Sequence, residues 1–265
     1  MTQADIDNLQ NKAKLLGESE NIAIICATGI NRSKTKYAII KNADNNYTVV
    51  IPDDAIYIGN IKTSIKSSFR DPKNLNNCNI TIIGGGNLNS VSSMCALMQC
   101  NELDLTKLDM KTVISTSKMF EGSVIKSLKH NMIIDKLVDA SDMFIASAIY
   151  NVNGSNIIAD FSGIHAEFED CSNMMYNCFL PKIVDIQNMK LKKSENTFKF
   201  YSEAKCIQLY VVNNDKELRD IICASRSPKV NIDKKMKIIP VDKYNQVKDA
   251  INHDNIDSIL KEIAQ

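Results

Sequence analysis

The chain has 265 residues, 44% hydrophobic and 24% charged, with 32 Lys and Arg against 31 Asp and Glu. A net charge of +1 leaves no basic footprint for nucleic acid or an anionic membrane, and no apolar run approaches the ~18 residues of a helical membrane span. Residues 1–17 lack a basic start followed by an apolar core, so the expected setting is cytoplasm and nucleus, with the eight scattered cysteines reduced.

In chain order, residues 4–16 read as a polar helix, and 22–30 as either a strand or a short buried helix, which periodicity cannot separate at that length. Two apolar runs, 37–41 and 47–51, flank the polar cluster 42–46 and predict a β-hairpin. Residues 53–77 form a long connection with a strand candidate at 55–58 and pairing around 61–65. A buried strand at 80–83 then enters Gly84-Gly85-Gly86. Spacings of three to five between apolar residues predict a helix over 88–102, a second over 105–128 and its continuation at 132–137. Strands are expected at 143–150, 156–159 and 164–168, joined by Asn153-Gly154 and Asp160-Phe161-Ser162-Gly163 as an antiparallel meander. Helical patterns return at 174–186 and 197–211. A strand at 237–241 precedes a last helix capped by Asp254 and bearing Ile256, Ile259, Leu260 and Ile263. No internal repeat and no linker is read, so residues 1–265 are expected to form a single domain with a helical extension over about 1–34.

Three places invite chemistry. Gly84, Gly85 and Gly86 before a helix would present backbone N–H groups to an anion, but no following Lys or Arg completes a phosphate loop, which favours a packing role. Ser117 sits where a nucleophile elbow of patatin-like lipases would fall, with Ser115 and Met119 replacing both required glycines. Thr35 opens the hairpin as an N-terminal nucleophile would, yet Lys34 precedes it instead of Gly, and Ile51 stands where an acidic residue is needed. No catalytic residue, cofactor or metal is therefore expected; His130, His165 and His253 lie far apart, and no cysteine pair has zinc-ligand spacing.

The run Phe144-Ile145-Ala146-Ser147-Ala148-Ile149-Tyr150, leading through Asn153-Gly154 to Asp160-Phe161-Ser162-Gly163, resembles the strand, turn, strand and Asp-Pro-Ser-Gly turn of proteasome core subunits. In that turn Asp and Ser bond local backbone and Gly takes a positive φ. Ile82 to Asn89 resembles the strand-to-helix junction of the same family, and the stretch from Met236 to Ala264 its terminal strand and acidic-capped helix. The resemblance implies an α+β fold, a four-layer αββα sandwich of two antiparallel sheets flanked by helices, with residues 20–30 as the extra N-terminal helix of alpha-type subunits. It further implies a noncatalytic alpha subunit of the proteasome outer ring, partnered by other alpha and beta subunits and the regulatory particle, with no nucleic acid or membrane partner. Lys66, Lys73 and Arg70 compete for the activator-docking position. A divergent or inactive patatin-like lipid acyl hydrolase and an anion- or nucleotide-binding α/β module are the alternatives.

Overall fold

The computed structural model describes residues 2, 4–6, 8, 21–28, 34–42, 46–69, 75–191, 208–212 and 236–263. Strands dominate it. β1 (Ile22–Thr28), β2 (Lys34–Lys41) and β3 (Tyr47–Ile51) are antiparallel neighbours, and β2 and β3 realise the predicted hairpin with Lys41 opposite Tyr47. From β3 onward pairing is parallel, through β4 (Asn79–Gly84), β5 (Gln99–Leu108), β6 (Val124–His130) and β8 (Ala148–Ile149), which completes a seven-stranded sheet. A second parallel sheet joins β7 (Ile134–Asp139), β10 (Ile164–Asp170) and β12 (Met189–Leu191). A third joins β9 (Ile158–Asp160), β11 (Ile183–Asp185), β13 (Gln208–Val212) and β14 (Met236–Pro240).

This is a solenoid of stacked coils, and it contains the repeat that the sequence reading did not find. Tyr57, Ser90, Ser115, Asp139 and Asp170 bridge in succession, one per coil, at steps of 33, 25, 24 and 31 residues, within the range of repeat architectures. After each of the last four comes the same double turn. Val91, Met94, Cys95 and Met98 point inward in one coil; Thr116, Met119, Phe120 and Ser123, then Ala140, Met143, Phe144 and Ser147, then Cys171, Met174, Met175 and Cys178 take those places in the next three. All sixteen are buried. Backbone bonds join the coils at equivalent points: Cys95 N to Met119 O at 2.9 Å, Phe120 N to Met143 O at 2.8 Å and Phe144 N to Met174 O at 2.9 Å.

The ends differ. Near the start, α1 (Ile61–Ser68) stands in the place of a double turn. Its N-cap Asn60 accepts from Thr63 N at 2.9 Å and donates to the carbonyls of Ser93 and Ala96 at 3.0 and 2.8 Å, satisfying backbone groups of the next coil. At the other end α2 (Val241–Val247) and α3 (Ile256–Ile263) bring Tyr244, Ile256, Leu260 and Ile263 over Ile183, Val211 and Ile239.

The four-layer sandwich with flanking helices is not formed, and the physical reason lies in the double turn. Inward residues at i, i+3, i+4 and i+7 are the spacing of an amphipathic helix, but here consecutive i-to-i+3 turns place them, as in Met94 N to Val91 O and Met98 N to Cys95 O, both at 3.1 Å. Left-handed residues at the third position of each turn, Ser93 and Leu97 at φ 58°, stop helix propagation. The expected helices over 88–102, 105–128, 132–137 and 174–186 are therefore turns and strands. The meander is overturned too: β10 pairs in parallel with β7 and β12, and β9 in parallel with β11. Of the strand expected over 143–150, only β8 forms. Residues 22–28 are a strand, not an extra N-terminal helix, and 61–68 a helix. Within the expected first helix, residues 4–6 and 8 are helical, with Ile6 buried against Ala38 and Val50; its remainder lies outside the described residues. Of the helix expected over 197–211, residues 208–211 belong to β13 and 197–207 lie outside the described residues. The terminal strand and helix form as expected, although Asn252 Oδ1, accepting from Asp254 N at 2.9 Å and Asn255 N at 3.2 Å, organises the turn before α3.

Candidate recognition surface

The coil corners are built from one device. Asp160 Oδ1 accepts from Ser162 N at 2.9 Å and Ser162 Oγ at 2.6 Å, so the Asp-Phe-Ser-Gly segment is the expected local turn. The same Asp-to-i+2 bond recurs at the strand ends Asp139, Asp170 and Asp185, and within β5 at Asp104. Gly163, however, has no positive φ; a Cβ there would lie 2.2 Å from the Met132 carbonyl oxygen, so close backbone approach requires the glycine. Gly84, at φ 94°, is required on both counts, because its Cβ would fall 2.0 Å from Ile51 O. No helix follows Gly85 and Gly86, so the amide cradle expected at a helix start does not exist there.

The other sequence candidates also lie in structural settings. Ser117 shares a 2.9 Å hydrogen bond with Ser141 Oγ, and its N–H reaches Ser115 Oγ at 3.4 Å. Neither partner is a base. Ser115 in turn bonds Ser92 Oγ and Asp139 Oδ2, both at 2.9 Å, so these hydroxyls form a ladder between coils. Thr35 is buried within β2 opposite Ala27. Lys66 lies on the last turn of α1; Lys73 and Arg70 lie outside the described residues. Burial pushes the thiols of Cys100 and Cys171 up to about 12, far from a reactive thiolate. Among the described residues no group of three or more His, Cys, Asp or Glu side chains is placed to hold a metal ion.

Two constellations were not foreseen in the sequence. The first is buried. His130 takes the inward place that Leu105 fills on β5 and stacks on Phe161 at 5.1 Å. Its Nδ1 accepts from Met132 N at 3.3 Å. Burial lowers its pKa to about 4, against a weaker opposing pull from Asp160. On the adjacent strands Asp160 and Asp185 are register partners. Burial, with the Asp160 charge adding to it, raises Asp185 to about 6, and burial beside these carboxylates raises Tyr244 as well.

The second is open to solvent. The outward residues of β7, β10 and β12 line a cavity of about 490 Å³ bounded by Asp135, Lys136, His165, Glu167, Asn188 and Lys190. Ile134, Leu137, Ile164, Ala166 and Met189 turn into the core; alternation leaves His165 and Glu167 on β10 and Lys190 on β12 outside, while β7 breaks alternation and exposes both Asp135 and Lys136 where its register with β10 shifts. Glu167 and Lys190 are register partners, so opposite charges stand side by side on adjoining strands. The size suits a ligand site, whereas the polar, two-signed lining suits a hydrophilic partner. Single strands of three to seven residues carry these groups, so only stacking could have revealed them. Comparison with family models, curated proteins and solved structures finds no match to this chain.

Proposed function

We propose that this protein is a noncatalytic recognition module, a solenoid that binds a protein segment carrying charges of both signs. The cavity on the β7, β10 and β12 face carries this reading: acidic and basic side chains from three parallel strands share one surface, with Glu167 and Lys190 side by side on adjoining strands. Charge alternation of this kind favours partner choice and orientation over raw affinity. The serine ladder supports the noncatalytic part, because each described hydroxyl that sequence reading marked for chemistry is used to join coils or pair strands. A place in a proteasome outer ring drew its physical basis from the sandwich, and the solenoid offers no equivalent basis for it.

The test is affinity capture with the full chain, followed by titration calorimetry of any recovered protein against wild type and the single variants Glu167→Lys and Lys190→Glu. Binding that weakens at least tenfold in either single variant and with rising salt is expected. Equal binding by wild type and the Glu167→Lys variant would remove this face from the function.

A further inference from the structure

The charged face of β7, β10 and β12 continues one coil beyond β7. There Ser115 bridges in parallel to Asp139 at the end of β7, and the residues before the two bridge partners share one pattern. Met110 and Val113 are buried as Ile134 and Leu137 are, and Lys111 and Thr112 are exposed as Asp135 and Lys136 are. Lys111 therefore extends the outward row that contains Asp135. It borders a second cavity, of about 290 Å³, whose walls include Thr106 and Lys107 near the end of β5, Asp109, Asn131 and Ile133.

The lining of this cavity sets the sign of the group it takes. Lys107 and Lys111 both face into it, and among the described residues neither is held by an ion pair. The carboxylate in the lining, Asp109, is turned back on its own corner, where Oδ1 accepts from Lys111 N at 3.1 Å. Two ammonium groups sharing one cavity repel each other, and a carboxylate placed between them relieves that repulsion. Ile133, 40% exposed, adds apolar surface for the methylenes of an acidic side chain.

Taking the β7, β10 and β12 face as the recognition surface, we infer that the bound protein segment reaches past β7 and seats an acidic side chain between Lys107 and Lys111. The site is thus a second anchor on the same face, of defined sign. From the Lys111 row to the Lys190 row the chain makes three strand-to-strand steps, through β7 and β10 to β12, which is about 14 Å at ~4.8 Å each. An extended segment advances ~3.4 Å per residue, so its acidic anchor lies about four positions from the residues that meet Glu167 and Lys190.

The probe is a fluorescent peptide with Glu-Ser-Gly-Ser-Lys-Glu between Gly-Ser flanks, titrated with the full chain and followed by anisotropy. Comparison peptides change its first Glu to Gln or Lys, or move that Glu next to the Lys-Glu pair. The intact peptide should bind more tightly than each of these by about threefold or more, the scale of an exposed charge pair. Lys111→Glu should abolish that preference and favour the peptide with Lys in first place, with unchanged circular dichroism. Amide resonances of Lys107, Lys111 and Asn131 should shift with the intact peptide and not with the Gln form. Equal binding of all four peptides that Glu167→Lys still weakens overturns the second anchor and leaves the β7, β10 and β12 face in place. Tighter binding of acidic peptides whatever the position of the Glu also overturns it, because a diffuse field has no spacing. Binding that neither Lys111→Glu nor Glu167→Lys alters overturns both the anchor and the face.

Discussion

His130 occupies an inward position beside Phe161, where burial penalises an imidazolium more than the charge and backbone of Asp160 favour it, so the folded protein holds the ring neutral. Its pKa is depressed from 6.5 to about 4. The stability this carries is present above pH 6.5 and is lost as pH falls toward 4, because the unfolded chain then takes up the proton first. Asp185 has the opposite sign. Its pKa is raised from 3.8 to about 6, so its contribution is full below pH 3.8 and is lost as pH rises through 6. Each amounts to something on the order of 3 kcal/mol, and the two windows overlap, so they largely cancel in the native chain. Asp185→Asn should lose stability relative to wild type as pH drops from 6.5 to 4, and His130→Leu should gain it over the same range. Urea midpoints measured at half-unit steps of pH check both; parallel curves for all three proteins would show that neither group titrates as its burial requires.

At the scale of the element, the double turn explains why a helical pattern produces no helix. Each coil holds two residues in the left-handed region, and most are not glycine: Leu97 at φ 58°, Lys118 at 59° and Ala146 at 53° among them. A side chain there costs about 1–2 kcal/mol, offset by inter-coil bonds such as Ala146 N to Tyr176 O at 2.9 Å. Gly122 occupies the position equivalent to Ala146 one coil earlier without that cost. Ala146→Gly should therefore leave thermal stability unchanged or raise it by up to ~1 kcal/mol, the relief of strain exceeding the added entropy of the unfolded chain. In a true helix the same change would cost about 1 kcal/mol. A fall of that size in calorimetry would argue against the left-handed geometry.

For the whole molecule, stacking makes stability a sum over neighbouring coils. The central contacts are aromatic: Phe120 stacks on Phe144 at 5.3 Å with planes 9° apart, and Phe144 meets Phe161 at 5.2 Å. Phe144→Ala should cost about 3–5 kcal/mol and, because it separates two coils, should split the unfolding transition. Hydrogen exchange would then show β4 and β5 protected under conditions that release β10 and β11. A single transition of reduced midpoint would instead mean that the ends are coupled through the sheets.

The apolar periodicity of the inward residues was legible in the sequence, although its polar members, Thr116, Ser123, Ser147 and His130, were not. Met94, Met119, Met143 and Met174, with their apolar neighbours, fall within stretches whose apolar spacing reads as structured, and the hairpin of β2 and β3, strand β4 and helix α3 follow from local composition. Burial pattern and turn chemistry are properties of nearby residues, so they survive in a linear reading. The path between inward positions was not legible, because a helix and a pair of tight turns satisfy the same spacing, and the left-handed residues that separate them carry side chains as unlike as Ser, Leu, Lys and Asp. The choice was made by bonds to the next coil, available only once the coils stack. The same holds for the charged cavity and for the pairing of Asp160 with Asp185: each joins residues distant in the chain, and tertiary structure alone decides that.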